Sequence, residues 1–166
     1  LEDELRYLST HDALTGIYNR SFFEAELARL QRGRSWPVSI AMVDVNGLKS
    51  TNDTRGHSAG DELLKRAANM LSACFRPEDI VARFGGDEFA VLLPSTDDDA
   101  AAEIIYRMRA NLEAYNRSTG GVALSLSIGI ATGEKGQSLL EVLTCADTYM
   151  YQDKIRQKHT GELPPS

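Results

Sequence analysis

Two short apolar segments, residues 80–84 and 89–93, stand on either side of the tetrapeptide GGDE in the middle of the chain. Adjacent glycines readily supply the positive φ angles of a tight turn, so this pattern predicts a β-hairpin. The two strands of a hairpin run antiparallel. A sheet that contains this hairpin therefore cannot be all-parallel.

Strand-like and helix-like segments alternate through the rest of the chain. Residues 38–45 have the composition of a buried strand, and apolar residues at alternate positions predict another strand between 122 and 130. Apolar residues at helical spacing predict four helices, three of which carry the capping pairs Ser21/Glu24, Ser58/Asp61 and Ser138/Glu141. We predict an α/β (α+β) sandwich in which helices cover a mixed, centrally antiparallel sheet of about five strands.

Composition limits the classes of function. With 166 residues, of which 42% are apolar, the chain is long enough for one domain with its own core. Eighteen Lys and Arg against 24 Asp and Glu give a net charge of −6 without a basic block, which disfavours a nucleic-acid surface. No apolar run approaches the roughly 20 residues needed to cross a bilayer, so no membrane insertion is expected. Cys74 and Cys145 make no metal-binding spacing and are interpreted as reduced core residues of a cytoplasmic domain.

No repeat or low-complexity linker divides the sequence. We assign the domain to residues 11–160, a linker helix to residues 1–10 and a tail to residues 161–166. The first residues lack a starting Met and the apolar centre of a signal peptide, so we expect the chain to continue from an upstream region. The linker contains leucines at helical spacing, which are Leu1, Leu5 and Leu8. Such a stripe could continue a coiled helix that joins two copies.

Two acidic residues stand where strands are expected to end. Asp44 leaves the first predicted strand and Asp87 leaves the hairpin turn, so a sheet that pairs these strands could bring the carboxylates together. Paired carboxylates suit Mg²⁺, which takes oxygen ligands and can lower the pKa of an attacking hydroxyl beside a nucleotide. The alternative is structural: the glycines form an ordinary hairpin turn and Asp44 caps a loop.

The sequence around these acids carries a longer pattern. Residues 83–89 read RFGGDEF. Four further segments are similar to the patterns DxLTGLxNR, DxDxFKxxND, GHxxGD and ADxALYxAK, and they lie at residues 12–20, 44–53, 56–61 and 146–154. Together these segments cover nearly the whole chain in the expected order, and they resemble the GGDEF-domain family of diguanylate cyclases.

The resemblance implies a fold akin to nucleotidyl cyclases and polymerase palms, and a reaction in which two GTP condense to cyclic di-GMP and two pyrophosphates. The groups it assigns to the cofactor, Mg²⁺ or Mn²⁺ with two ions per site, are Asp44, the backbone carbonyl of Val45 and Asp87. Asp87 and Glu88 are the expected catalytic residues, with Glu88 a second metal ligand or a proton acceptor. Gly85 and Gly86 would let the nucleotide approach the backbone closely.

The resemblance also implies residues that bind GTP. It assigns guanine recognition to Asn52 and Asp61, whose amide and carboxylate can satisfy the edge of the base. The other substrate contacts that it implies are Leu48, Lys49, Lys154 and Lys158. From the sequence alone, Asp61 could instead cap a helix after Ser58, and the lysines could form a solvated stripe.

Three positions depart from the family patterns. Asn46 stands where the family has a second Asp, Leu48 where it has Phe, and Lys158 where it usually has Arg. Both acids assigned to the metal are retained, so we expect Asn46 to tune activity rather than abolish it. A lysine in place of arginine loses the two-point contact that a guanidinium makes with phosphate. We assign no chemistry to His57, which stands at a helix start.

Arg76 and Asp79 resemble the RxxD inhibitory site at which these enzymes bind their own product, cyclic di-GMP. A guanidinium can stack on guanine or pair with phosphate, and a carboxylate accepts from guanine N–H groups. We expect Arg107 on the third predicted helix to complete this site, with Arg109 as a substitute. The alternative is a polar loop that follows a helix.

One GGDEF turn implies one nucleotide half-site per chain, whereas the product joins two nucleotides. The expected active form is therefore a two-fold homodimer, controlled by an upstream sensor domain. Two alternatives stay open: a catalytically silent module that binds GTP or cyclic di-GMP, and a purely dimerising element. The presence of Asp87 and Glu88 favours the enzyme.

Overall fold

The central strand of the fold is β1 (Val38–Val45), which is buried along its whole length. It belongs to a computed structural model that describes residues 1–161, so residues 162–166 of the predicted tail lie outside the described part. The other strands are β2 (Ile80–Arg83), β3 (Glu88–Leu93) and β4 (Leu126–Gly133). The helices are α1 (Glu2–Thr10), α2 (Arg20–Gln31), α3 (Leu48–Arg55), α4 (His57–Ser72), α5 (Asp98–Ser118) and α6 (Leu139–His159).

The strands form one sheet in the order β2-β3-β1-β4, with every pairing antiparallel. The α+β class and the hairpin of β2 with β3 are confirmed. The estimate of about five strands is wrong, because the sheet has four strands within residues 1–161. The outer edge of β2 receives only an isolated bridge from Tyr18 to Ala82. That pairing cannot lengthen into a strand because Asn19, the next residue, already caps α2.

Helices cover both faces of the sheet. α4 and α5 pack on the face that carries β1 positions 41, 43 and 45. α2 and α6 pack on the opposite face, which carries positions 38, 40 and 42. Gly129 in β4 permits close contact with α6, because a Cβ there would lie only 2.2 Å from the Ala146 carbonyl oxygen. The result is a two-sided core, as the alternation of side chains along a strand requires.

Local capping sets the starts of two helices. Asn19 caps α2 by accepting a hydrogen bond from the Phe22 N–H, so Ser21 lies inside the first turn and is not the cap that we predicted. At α6 the prediction is confirmed, because Ser138 accepts from the Glu141 N–H.

α3 was not predicted, since the second predicted helix began only at Ser58. Gly56, with a φ of 90°, ends α3 and leads directly into α4, whose N-terminus has no side-chain cap. The predicted capping pair Ser58/Asp61 is therefore wrong. Cys145 is exposed on α6, whereas Cys74 is buried as expected.

One edge of the sheet gathers polar residues. β1 ends and β3 begins there, with Asp44 opposite Glu88 in the register. α6 packs extensively against β4 and β1 and passes over the same edge. Within residues 1–161, no helix combines the length and apolar character required for a membrane span.

Candidate active site

Three carboxylates converge where β1 ends and the hairpin turn meets β3. One oxygen each from Asp44, Asp87 and Glu88 lies within 4.8 Å of the others. The Val45 N–H donates to the Asp87 carbonyl over 2.8 Å, which fixes the turn against the end of β1. Antiparallel pairing of β1 with β3 thus brings together acids that are distant in the sequence. We call these three residues the carboxylate cluster.

The carboxylate cluster holds an excess of negative charge. Burial raises the pKa of Asp44, and the neighbouring Asp87 raises it further, although Lys154 opposes both effects. Burial also raises the pKa of Glu88, together with the charges of Asp147 and Asp44. Like charges held close together favour protonation or a bound cation.

Lys154 of α6 is the cation nearest to Asp44. Its Nζ donates to Asp44 Oδ2 over 2.7 Å, and a third of the lysine side chain remains exposed. Burial lowers the pKa of Lys154, but the hydrogen bond and the charge of Asp44 outweigh burial and raise it. Lys154 thus contributes one positive charge beside three carboxylates. Lys158 lies one turn further along α6 and is exposed.

The hairpin turn is closed differently from our expectation. Neither Gly85 nor Gly86 has a positive φ. The Phe84 and Gly85 N–H groups both donate to the Glu88 carbonyl, which gives a wider turn than a two-residue loop. A Cβ on Gly86 would meet no atom within 4 Å, and one on Gly85 would meet only the Glu88 Cβ at 3.9 Å. The glycines therefore leave open space beside the backbone, where a ligand could approach.

Arg83 holds the hairpin turn, a role that the sequence analysis missed. Its guanidinium donates to the Gly85 carbonyl at 3.2 Å and to the Gly86 carbonyl at 2.9 Å, and it pairs with Asp12 at 3.3 Å. Asp12 is oriented by the N–H and hydroxyl of Thr15. The available signal was an arginine placed two residues before the glycines, where its long side chain can reach back to their carbonyls.

Asn46 belongs to a buried hydrogen-bond network that joins β1 to β4 and α6. Its amide donates to Ser125 Oγ at 3.1 Å and to Gln157 Oε1 at 3.4 Å, and it accepts from Ser127 Oγ at 3.1 Å. Gln157 in turn donates to Asp153. The position needs both a donor and an acceptor, and only the amide supplies both, since an ionised carboxylate has no N–H or O–H.

Four of the residues expected to bind the nucleotide lie on α3 and α4. Asn52 lies in α3 against α4, and its side-chain oxygen is buried without a hydrogen-bond partner in the described part of the chain. Asp61 is exposed on α4. Leu48 and Lys49 form the first turn of α3, where Leu48 packs on the core and Lys49 is exposed.

Arg76 and Asp79 lie in the loop between α4 and β2 and bind each other. The Asp79 side chain is 2% exposed and accepts from the Arg76 backbone N–H at 2.9 Å and from its Nη2 at 3.0 Å. Arg76 also donates to the Pro94 carbonyl and to Thr96 Oγ1, yet 46% of its side chain stays exposed. The bonds of Asp79 fit a loop-forming role, whereas the open face of Arg76 is available to a ligand.

The two candidate arginines on α5 point to different places. Arg107 donates to the Cys74 carbonyl over 2.9 Å, two residues before Arg76. Arg109 instead pairs with Asp153 of α6 at 3.2 Å. Of the two, only Arg107 contacts the loop region that holds Arg76.

Comparisons with known proteins give the same picture. Residues 9–160 match the family model described as diguanylate cyclase, GGDEF domain. Diguanylate cyclase DgcM from Escherichia coli (strain K12) is 35% identical over 157 residues, which cover 93% of this chain and 38% of DgcM. The chain thus spans well under half the length of this curated relative.

Solved structures show the same fold. The coiled coil and GGDEF domain of DgcB from Caulobacter crescentus, in complex with c-di-GMP, has a TM-score of 0.83 and 28% identity, with 92% of this chain and 84% of that chain covered. Diguanylate cyclase SiaD from Pseudomonas aeruginosa, in complex with its activator SiaC, has a TM-score of 0.81 and 28% identity, with 93% and 62% covered.

Proposed function

The chain belongs to the GGDEF-domain family of diguanylate cyclases, and from this premise we propose that it condenses two GTP into cyclic di-GMP and two pyrophosphates. The convergence of Asp44, Asp87 and Glu88 within 4.8 Å carries the proposal. In each half-reaction, the 3′-oxygen of one GTP bonds to the α-phosphorus of the other. The hydroxyl proton is lost, and the bond from the α-phosphorus to pyrophosphate breaks.

The carboxylate cluster fits a divalent cation. Its donors are hard oxygens, the type that Mg²⁺ and Mn²⁺ take. Lys154 pairs with Asp44, one of the three carboxylates, so a cation would offset the remaining negative charge. Asp44, Asp87 and the Val45 carbonyl would hold two ions, with Glu88 as a further ligand. Such ions, when bound, lower the pKa of the attacking hydroxyl and offset charge that develops on the phosphate.

Cationic and N–H groups of the chain would orient the triphosphate. No side chain caps the N-terminus of α3, so the first N–H groups, at Leu48 and Lys49, are available to an anion. The exposed ammonium groups of Lys49 and Lys158 add positive charge. Lys154 would exchange Asp44 for a phosphate oxygen once another cation neutralises Asp44. As the alternative to metal ligation, Glu88 would accept the hydroxyl proton.

Asn52 and Asp61 would recognise guanine. A carboxylate at 61 accepts from the ring N–H and the amino group of guanine, and an amide at 52 offers a donor to a base acceptor or a further acceptor. Adenine lacks the two donors that Asp61 needs, so the pair would select GTP over ATP. The side-chain oxygen of Asn52 is buried against α4, so the amide N–H groups are the ones that would meet the base.

We propose that the active form is a two-fold homodimer. Each chain carries one carboxylate cluster, and two copies facing each other would present each bound 3′-hydroxyl to the opposite α-phosphate. α1 supports this assembly, since Leu1, Leu5 and Leu8 are 93%, 62% and 57% exposed. A helix with such an apolar stripe can pair with a second copy.

We further propose that cyclic di-GMP inhibits the enzyme at Arg76, assisted by Arg107. An open depression of about 420 Å³ lies beside Arg76 and is lined in part by the rings of Tyr18 and Phe75. Asp79 would act by orienting the guanidinium, since its carboxylate is already committed to Arg76. A sensor domain upstream of residue 1 and catalysis in the cytoplasm, where GTP is available, complete the proposal.

Mass-detected turnover tests the proposed function. The chain is incubated with GTP and Mg²⁺ over a wide dilution series, while light scattering records its mass. We expect cyclic di-GMP to form with a specific activity that rises with protein concentration, and a leucine zipper fused before Leu1 in suitable register should raise it further. Constant specific activity from a monomer would contradict the dimer. Tight GTP binding without product would instead identify a silent binding module.

A further inference from the structure

Gly60 occupies an unusual place for a glycine. It lies in the interior of α4, is buried, and has an ordinary helical φ rather than a positive one. Glycine in a helix interior lowers helix stability relative to alanine, because the backbone loses more freedom on folding. The backbone conformation therefore gives no reason for glycine here, and the reason must be the space that a side chain would fill.

The space beside Gly60 is occupied by Asn52. A Cβ on Gly60 would lie 1.7 Å from Asn52 Oδ1, 2.8 Å from its Cγ and 3.2 Å from its Nδ2. These three atoms, the nearest to that Cβ, all belong to the side-chain amide of one residue. The backbone of Asn52 is also fixed, since its carbonyl accepts from the Gly56 N–H over 2.8 Å between α3 and α4. The amide thus lies flat against α4 only because position 60 has no side chain.

The amide gains no hydrogen bond from this placement. Asn52 Oδ1 is buried, and no donor within residues 1–161 reaches it. Buried polar atoms are nearly always paired, so an unpaired one marks a group that is held for another purpose. Packing alone would be served better by alanine at 60 and a withdrawn Asn52.

We propose that Gly60 is a positioning residue for guanine recognition. Because position 60 has no side chain, the Asn52 oxygen packs against α4, and this orientation directs the amide N–H groups toward the base. This inference rests on the proposed function, because Asn52 is the group through which Gly60 acts. Asn52 would touch the nucleotide, and Gly60 would not.

A stability cycle tests the contact without nucleotide. Because the amide is the end of a flexible side chain, Gly60→Ala should displace it rather than unfold α4. Thermal unfolding is compared for wild type, Gly60→Ala, Asn52→Ala and the double variant. We expect the change in Tm caused by Gly60→Ala to be more favourable in the Asn52→Ala background, where the clash is gone. Equal changes in the two backgrounds would overturn the proposal.

Binding then tests the consequence. Calorimetry measures the affinities of the four proteins for α,β-methylene GTP and α,β-methylene ATP, which cannot transfer the α-phosphate. Gly60→Ala should weaken binding of the GTP analogue roughly tenfold, the effect of one lost hydrogen bond. It should also reduce the preference of the protein for the GTP analogue over the ATP analogue. Asn52→Ala should have the same two effects. The double variant should match Asn52→Ala. Gly120→Ala adds the same methyl group where no atom lies within 4 Å and should change nothing.

The outcomes separate the inference from the proposed function. Wild-type affinity in Gly60→Ala, or additive losses in the double variant, would overturn the positioning role. Failure of the wild-type protein to bind the GTP analogue would instead overturn the proposed function, even with a positive stability cycle.

Discussion

The carboxylate cluster and the Arg76–Asp79 loop both contain acidic residues taken from short motifs, but their charges are arranged in opposite ways. In the cluster, carboxylates lie beside one another, and the pKa values of Asp44 and Glu88 are raised. In the loop, the buried Asp79 is paired by Arg76, whose pKa the Asp79 hydrogen bond raises. The cluster thus brings like charges together, whereas the loop pairs opposite charges within the chain.

We therefore expect substitutions in the cluster to change activity and substitutions in the loop to change stability. Removing a charge from the cluster should reduce catalysis and relieve repulsion, because the folded chain gains little from these acids. Removing a charge from the loop should leave a buried partner without its hydrogen bonds.

Asp44→Asn should reduce cyclic di-GMP formation by at least about 10³-fold, since several kcal/mol of metal-assisted charge stabilisation depend on this carboxylate. Circular dichroism should show an unchanged fold, because the amide keeps the shape of the side chain. Initial rates with saturating Mg²⁺ give the measurement. Asp98→Asn, at an exposed position in the first turn of α5, is the matched control and should retain its activity.

Arg76→Ala should weaken cyclic di-GMP binding about 10- to 100-fold and relieve product inhibition, since a charged hydrogen bond contributes about 1.5–3 kcal/mol. The initial rate before product accumulates should not change, because Arg76 lies outside the cluster. Calorimetry with cyclic di-GMP measures the affinity. Glu78→Ala removes the other acid that pairs with Arg76 and should affect affinity far less. Unchanged affinity in Arg76→Ala would leave this loop with a structural role only.

Asp12→Asn should lower activity several-fold through the hairpin turn, because Arg83 then loses the charge that holds it beside the glycine carbonyls. It should also lower the free energy of unfolding by about 0.5–1 kcal/mol at neutral pH. Partial burial raises the pKa of Asp12, but hydrogen bonds from Thr15 and the charge of Arg83 outweigh it and lower that pKa. The Asp12 carboxylate therefore stabilises the fold at pH values above its ordinary pKa of 3.8. This stabilisation is lost as the pH falls through the lowered pKa of the folded protein. Denaturant titrations that show no difference between variant and wild type at pH 7 would contradict this account.

Glu88→Gln should give the smallest change in stability, a slight increase in Tm at neutral pH. A carboxyl with a raised folded-state pKa opposes folding above that pKa, and the penalty disappears below its ordinary value of 4.5. The gain should therefore shrink as the pH falls through this window. Asp79→Asn provides the contrast and should lower Tm, because Arg76 loses its charged acceptor. A lower Tm for Glu88→Gln at pH 7 would remove the contrast between the two regions.

Much of the fold followed from local pattern. The hairpin is visible as two apolar runs on either side of turn residues, and β1 is visible as one apolar run. The bounds of β1 are those that were predicted. The sequence patterns marked four strand segments, and the wrong estimate of about five came from the usual size of sheets rather than from a fifth segment. Helix starts failed where a glycine joins two helices without a cap, as at Gly56.

The site divides in the same way. The proximity of Asp44 and Asp87 could be anticipated, because strand ends that pair meet at one edge. The contacts of Arg83 and the burial of Asn46 could not be anticipated. Arg83 pairs with Asp12 and Asn46 bonds to Ser125, and both partners lie far away in the sequence. The packing of Asn52 against Gly60 could not be predicted either, because the sequence does not show which side chain lies beside a glycine inside a helix.

The central claim is that the unbalanced carboxylates carry catalysis. Its most direct test is the rate of cyclic di-GMP formation from GTP, with Mg²⁺ or with excess chelator, for wild type and Asp87→Ala at matched concentrations. We predict product from the wild type only when Mg²⁺ is present, and no measurable product from a correctly folded Asp87→Ala. Undiminished product from Asp87→Ala, or equal rates with the chelator, would contradict the account.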